Sequence, residues 1–262
     1  MKKVLTIAGS DCSGGAGIQA DLKTFSAHGV FGMSVIVSIV AENTSRVIGI
    51  QDIRPDMIEK QIDAVFEDIG VDAVKLGMLS SSAAMEVVAG KLKQYHPWNV
   101  VIDPVMYAKN GCPLMKSKAI DTLLKTILPL SDVVTPNIPE AEKIARMEIR
   151  SVKEMEEAAR RIYGMGCGAV IIKGGHRKGK ALDILFDGKG FRYLEADRID
   201  TKNTHGTGCT FSSAIASRLA KGEGLYEAVQ GAKDYVTMAI AHSLSIGKGN
   251  GPTHHFWRFF PG

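Results

Sequence analysis

Short apolar runs alternate with longer amphipathic stretches along the 262 residues. Val4–Ala8, Val35–Ala41, Ala73–Leu79, Val100–Val105, Val133–Thr135 and Ala169–Ile172 are short, rich in β-branched residues and free of polar alternation. That is the pattern of parallel strands covered on both faces. Helical spacing lies between them, near 16–28, 55–69, 82–95, 116–127, 138–147 and 152–165. In the last of these, Val152, Met155, Ala159 and Ile162 mark one face. The segment ALDILFDGKGFRYLEADRID (181–200) breaks the rhythm and predicts a hairpin turning at Asp187-Gly188. Two more helices, at about 208–220 and 225–244, follow it. The pattern predicts an α/β fold with a central, mainly parallel sheet, helices on both faces and a small β-hairpin element. No linker, repeat or low-complexity tract divides the chain, so 1–262 is expected to form a single domain. In such sheets ligands bind beyond the carboxyl ends of the strands, which directs attention to the loops after strands.

Composition narrows the functions available. With 45% hydrophobic and 23% charged residues, the chain can bury a sizeable core. The net charge of +4 is modest, the Lys and Arg are scattered, and aromatics make up only 6%, so nucleic acid is not an expected partner. No run reaches the roughly 18 apolar residues of a membrane helix, and the N-terminus lacks the apolar core of a signal segment. Cys12, Cys112, Cys167 and Cys209 have no CxxC spacing and form no zinc-type Cys/His cluster. A cytoplasmic protein with free thiols is the expectation.

Two glycine motifs point to chemistry that their surroundings do not support. GAGIQA (15–20) matches the dinucleotide fingerprint, with Glu42 at a suitable distance. Yet GSDCSG (9–14) separates Gly15 from the predicted first strand, a loop too long for the tight turn that delivers a pyrophosphate. GGHRKGKA (174–181) approaches a P-loop, but Ala181 replaces the magnesium-binding hydroxyl and a strand follows instead of a helix.

The stretch NTHGTGCTFSSAIA (203–216) is more informative. A helix starting near Gly208 leaves the main-chain N–H groups of 206–209 unpaired at the positive end of a helix dipole. That is a cradle for an anion, and it suits charge on a transferring phosphoryl group. Cys209 at this helix start is expected to have a lowered pKa and to take a proton from an alcohol; a small residue packed at a plain turn explains it equally well. A covalent thiol mechanism with His205 as base is disfavoured, because nothing acidic adjoins His205 in the sequence. VTPNIPEAEKI (134–144) sets Asn137 and Glu140 three apart just past a strand. They either reach a hydrated magnesium ion and phosphates or simply cap a helix. Asp103 ends VVIDPVM (100–106), as a magnesium-holding carboxylate or a turn former. Lys173 ends VIIKGGH (170–176), as a phosphate contact or a solvated lysine.

Taken together, these segments resemble the hydroxymethylpyrimidine/phosphomethylpyrimidine kinases of thiamine biosynthesis, in the ribokinase-like superfamily. The resemblance rests on LTIAGSDCSGGAGIQADLKTFSAHGVFGMSVIVSIVAENT, KLGML, VVIDPVM, TPNIPEAE, KGGH, TKNTHGTGCTFSSAIA and GPTHHFW, and it spans essentially the whole chain. It implies transfer from ATP, with Mg2+, first to an alcohol and then to the resulting monophosphate. Gly206, Gly208 and Cys209 would form the transfer site, and Cys209 stands where the sugar kinases of the superfamily carry Asp. A neutral thiol would tolerate an anionic second acceptor, whereas an aspartate would repel it. The resemblance further implies a pyrimidine pocket from Gly9, Asp21, Glu42, Met78 and Val105. Glu42 departs there from a common Gln and, when ionised, only accepts hydrogen bonds. Asp21 borders the buried face of its predicted helix and needs a partner there, either a pyrimidine amine or hydroxyl or a rim salt bridge with Lys23 or Lys75. Asn137, Glu140, Lys173 and Thr207 would engage ATP, with Asp103 and Glu140 toward the metal. Lys109-Asn110-Gly111 and the 174–180 loop would be flaps, and a homodimer is implied. A pyridoxine or pyridoxal kinase is the nearest rival; a dinucleotide oxidoreductase and a non-catalytic pyrimidine sensor are more distant ones.

Overall fold

The computed structural model describes residues 1–107, 111, 113–115, 117–175 and 180–260. Nine strands form one sheet: β1 (Lys3–Asp11), β2 (Phe31–Glu42), β3 (Val47–Asp52), β4 (Ala73–Leu76), β5 (Val100–Ile102), β6 (Val133–Val134), β7 (Val170–Ile172), β8 (Ala181–Phe186) and β9 (Phe191–Ala196). Their order is β3-β2-β1-β4-β5-β6-β7-β8-β9. The central strands β2 to β7 pair in parallel, while β3, β8 and β9 add antiparallel edges. The helices are α1 (Gly17–Ala27), α2 (Pro55–Asp68), α3 (Ser82–Tyr95), α4 (Ser117–Thr122), α5 (Ile138–Ala145), α6 (Val152–Tyr163), α7 (Thr207–Ala220) and α8 (Leu225–Ala241).

Alternation along the strands builds two cores. Leu5, Ile7, Val74 and Val134 face one side with residues of α2, α3, α5 and α6. Val4, Ala73, Val133 and Ile171 face the other with Phe25 of α1, Phe211 and Ile215 of α7 and Val229 of α8. Burial on both faces is what makes these strands read as continuous apolar runs. The hairpin turns where predicted: the Asp187 carboxylate accepts from the N–H groups of Lys189 and Gly190, and Gly188 takes φ +82°.

Four differences from the sequence-based expectation have physical causes. β3 was not foreseen, because VIGIQD is mostly exposed and pairs only with the edge of the sheet. β1 runs on to Asp11, so the segment before α1 is only residues 12–16. β4 and β5 stop at Leu76 and Ile102, short of the predicted ends. The apolar residues beyond them, among them Met78 and Val105, wall a cavity instead of a strand. The predicted helix 116–127 is broken into α4, a π-helical turn (Leu123–Ile127) and a 3-10 turn (Leu128–Leu130) containing Pro129, which cannot donate to a continuing helix. Of the expected flaps, Lys109, Asn110 and residues 176–179 lie outside the described residues.

Candidate active site

The carboxyl ends of β1, β4, β5, β6 and β7 open into a cavity of about 1040 Å³. Every residue expected at the site lines it except Asp21: Gly9, Glu42, Met78, Asp103, Val105, Asn137, Glu140, Lys173, Gly206, Thr207, Gly208 and Cys209. The sheet explains this convergence, because parallel strands deliver their C-terminal loops to a single edge.

Helix α7 supplies the donors. Its N-cap is Gly206, with φ +78° and no capping side chain. Only a residue without a Cβ fits there, since a Cβ would lie 1.7 Å from the Gly15 carbonyl oxygen. Thr207 N–H turns back to the Thr204 carbonyl at 3.3 Å, so it does not face outward as expected. The N–H groups of Gly206, Gly208 and Cys209 make no main-chain hydrogen bond among the described residues. They remain available to an anion at the positive end of a 14-residue helix.

Asp103 and Lys173 face this helix start. Lys173 Nζ lies 2.7 Å from Asp103 Oδ1, and Thr135 Oγ1 donates to the same oxygen at 3.2 Å. A Cβ on Gly208 would come within 2.9 Å of Asp103 Oδ2 and 3.4 Å of Lys173 Nζ, which measures how closely the pair approaches α7. Burial alone would lower the Lys173 pKa. The charges of Asp103 and Glu140 outweigh it and raise the pKa above the ordinary lysine value, so the ammonium stays charged.

Asn137 and Glu140 form a capping box on α5. Asn137 Oδ1 accepts from Glu140 N–H at 2.9 Å, and Glu140 Oε2 accepts from Asn137 N–H at 2.8 Å. The simple capping explanation therefore describes their side-chain bonds, although both residues also line the cavity. Burial pushes the Glu140 carboxyl up to about 7 against the opposing pull of Lys173.

Two expectations need correction. Asp21 does not reach the cavity. It is fully buried, held by Lys75 Nζ at 2.9 Å, Thr6 Oγ1 at 2.6 Å and Ser213 Oγ at 2.7 Å. It lies on the inner face of α1, and its charge is answered by Lys75, the alternative partner, instead of by a ligand. The Cys209 thiol is raised, not lowered. Burial pushes it up to about 12, and the nearby Lys75 ammonium only partly opposes this. A helix N-terminus lowers a thiol pKa only where the thiolate keeps enough solvation.

His205 was dismissed for lack of an acidic neighbour, but the fold supplies one. Its Nε2 lies 2.9 Å from Asp11 Oδ2. Asp11 also accepts from the N–H groups of Ser13, Gly15 and Ala16. Burial would raise this carboxyl, yet the His205 and main-chain donors hold it well below the usual carboxylate range. Glu42 stands beside the pair and is pushed up to about 7, first by burial and then by the Asp11 charge. Ligand atoms of Asp11, Glu42 and His205 lie within 4.8 Å of one another. With four hydrogen bonds already made by Asp11, the cluster works as a hydrogen-bonding knot. The signal for it was DCSGG, where Asp followed by Ser and glycines favours a side-chain-capped turn.

A carboxylate and a lysine facing an uncapped helix start, in a cavity that can admit a small molecule, are an arrangement suited to phosphoryl transfer. The phosphomethylpyrimidine kinase family profile matches residues 11–254. A hydroxymethylpyrimidine/phosphomethylpyrimidine kinase of Bacillus subtilis is 46% identical over 256 residues, covering 97% of this chain and 94% of that protein. The thiamine biosynthesis bifunctional protein ThiED of Geobacter sulfurreducens is 49% identical over 253 residues, covering 96% of this chain; the chain spans 52% of that longer protein. The ADP complex of Bacillus subtilis pyridoxal kinase superposes with a TM-score of 0.90 at 43% identity, covering 97% of each chain. The chain belongs to the phosphomethylpyrimidine kinase family, on an α/β fold of the ribokinase type.

Proposed function

We propose that this chain transfers the γ-phosphoryl group of ATP to 4-amino-5-hydroxymethyl-2-methylpyrimidine and then to the resulting monophosphate, forming the diphosphate used in thiamine biosynthesis. The observation that carries the proposal is the uncapped α7 start facing Lys173 and Asp103 in one cavity with the end of β1 and the start of α1. The N–H groups of Gly206, Gly208 and Cys209, together with Lys173, stabilise charge on the transferring group. Asn137, Glu140 and Thr207 border the nucleotide phosphates. The residues fit magnesium: Asp103 Oδ2 carries no hydrogen bond among the described residues and would hold the ion, with the capping carboxylate of Glu140 beside it. When bound, the ion neutralises phosphate charge.

On the acceptor side, Gly9, Met78 and Val105 form walls and Glu42 recognises the pyrimidine. With its pKa raised by burial and the Asp11 charge, Glu42 holds a proton near neutral pH far more readily than an ordinary glutamate and so gains the donor that a carboxylate lacks. Asp21 has no part in this pocket. Cys209 is a small neutral group beside the reacting oxygens: with a pKa of about 12, roughly one thiol in 10⁵ is ionised at pH 7. A neutral thiol accommodates both the alcohol and the anionic monophosphate.

The remaining assignments follow the same reading. Residues 1–262 make one kinase domain. Free Cys12, Cys167 and Cys209 suit a reduced cytoplasm, and no helix among the described residues is long and apolar enough to cross a membrane. The exposed side chains of Phe31, Ile39, Ile48 and Ile50 on β2 and β3 suit the interface of a homodimer. The likeness to pyridoxal kinase supports pyridoxal as a second acceptor. The test is phosphoryl transfer from labelled ATP with magnesium to hydroxymethylpyrimidine and to pyridoxal in parallel. A pyrimidine diphosphate is expected. Pyridoxal phosphate as the sole product would move the chain to the vitamin B6 branch.

A further inference from the structure

His205 sits where three separate segments meet. Its ring donates to Asp11: an ionised carboxylate only accepts, so Nε2 carries the proton. Its main-chain N–H donates to the Gly251 carbonyl at 3.0 Å, and its carbonyl accepts from Thr253 N–H at 3.3 Å, a short parallel bridge opposite Pro252. The next residue, Gly206, is the N-cap of α7 and touches the Gly15 carbonyl. Asp11 in turn organises the 11–16 loop through Ser13, Gly15 and Ala16.

The tail on the far side is anchored independently. Pro252 O accepts from Leu244 N–H, and His254 N–H donates to Ala239 O. Tyr235 Oη donates to His255 O at 2.5 Å, and the His255 ring lies 3.1 Å from Thr210 Oγ1, one turn into α7. Burial pushes the His255 ring down to about 3, so it is neutral there. The tail is thus a fixed strap. It holds the His205 backbone while the His205 ring reports on the acceptor-side loop.

We infer that His205 is a positioning residue that couples the acceptor loop at Asp11 to the anion-binding start of α7, with residues 250–255 as its fixed support. When the 11–16 loop settles around an acceptor, the Asp11–His205 bond carries that change one residue along the chain to Gly206. Nucleotide and acceptor then each tighten the other's binding, since such coupling is reciprocal.

This inference rests on the proposed kinase function, and the test separates the two. Binding of a non-hydrolysable ATP analogue is measured by calorimetry with and without saturating hydroxymethylpyrimidine, in the parent, His205→Gln and His205→Phe. Turnover of the parent on the pyrimidine is measured alongside. Gln can replace the ring donor, whereas Phe cannot. The parent is expected to bind the analogue at least about fivefold tighter when the acceptor is present. His205→Gln should keep most of that factor. His205→Phe should bring it below about twofold while each single-ligand affinity stays within about threefold of the parent. Failure of the parent to phosphorylate the pyrimidine overturns the function, and the coupling with it. A parent that turns over but shows no coupling overturns only the inference, as does undiminished coupling in His205→Phe. If His205→Phe does not fold, loss of coupling in His205→Gln equal to that in Asp11→Asn contradicts the role of the ring donor.

Discussion

Of the lysine–aspartate pairs in the molecule, Lys75–Asp21 and Lys173–Asp103 serve different ends. Lys75 and Asp21 are both wholly buried at 0% exposure. Thr6, Ser213 and Lys75 all donate to the Asp21 carboxylate, which links β1, β4, α1 and α7. Lys173 and Asp103 make an even shorter contact, but Lys173 keeps 17% of its side chain exposed in the cavity. The first pair is closed by the protein, while the second keeps capacity for a ligand. Neither the pairing nor its distance separates structure from function; what separates them is whether hydrogen-bonding capacity remains.

The sharpest test of that contrast removes each cation. Lys173→Met should lower kcat on the order of 10³-fold, because it removes charge stabilisation in the transition state, while costing less stability than Lys75→Met, since Asp103 faces the open cavity. Lys75→Met should instead destabilise the fold by about 3–5 kcal/mol, the usual cost of leaving one buried charge unpaired. Denaturant titration with parallel kinetics checks both, and the contrast fails if Lys75→Met is stable but inactive. A methyl at the cavity pair probes its approach to α7. Gly208→Ala puts a Cβ against Asp103 Oδ2 and should cut kcat roughly 10²-fold, read in steady-state assays.

A gentler probe uses pH. The folded-state pKa of Glu42 is raised, so its stabilising contribution is complete below the unfolded value near 4.5 and is lost as pH rises through about 7. Glu42→Gln should therefore stabilise the protein more at pH 8 than at pH 5, by on the order of 1 kcal/mol once solvent screening of this partly exposed group is discounted. It should also flatten the pH dependence of KM for the pyrimidine between pH 6 and 8; a slope identical to the parent's would remove Glu42 from recognition. The smallest effect belongs to Cys209→Ala, with less than tenfold loss in either phosphorylation step. A working general base would cost 10²–10⁴ in the first step alone, so rapid-quench rates of the two steps decide between them.

Much of this was legible in the chain. Buried parallel strands announce themselves as apolar runs, and the loops after them hold the cavity residues because topology leaves them no other edge. What eluded the sequence were pairings across long separations. Asp21 is 54 residues from Lys75, and Asp11 is 194 from His205. No local pattern records either, so Asp21 was assigned to a ligand, with Lys23 or Lys75 only as the alternative partner, and His205 was left without one. Cys209 failed for a different reason: its position at a helix start was readable, but its desolvation depends on how α7 packs against Lys75 and Asp103. β3 escaped because an exposed edge strand needs no continuous apolar run.

The contact of Gly206 with the Gly15 carbonyl bears on how the molecule is made. Two segments some 190 residues apart in the chain must be in register before α7 can present its donors. Such distant closures are slow relative to local helix formation. Catalytic competence should therefore be among the last properties regained after denaturation, appearing behind the recovery of helical circular dichroism. Trp257 packs on His242 just beyond the strap that holds this junction, so its fluorescence, read with Trp98 replaced by Phe, provides a clock for that final step.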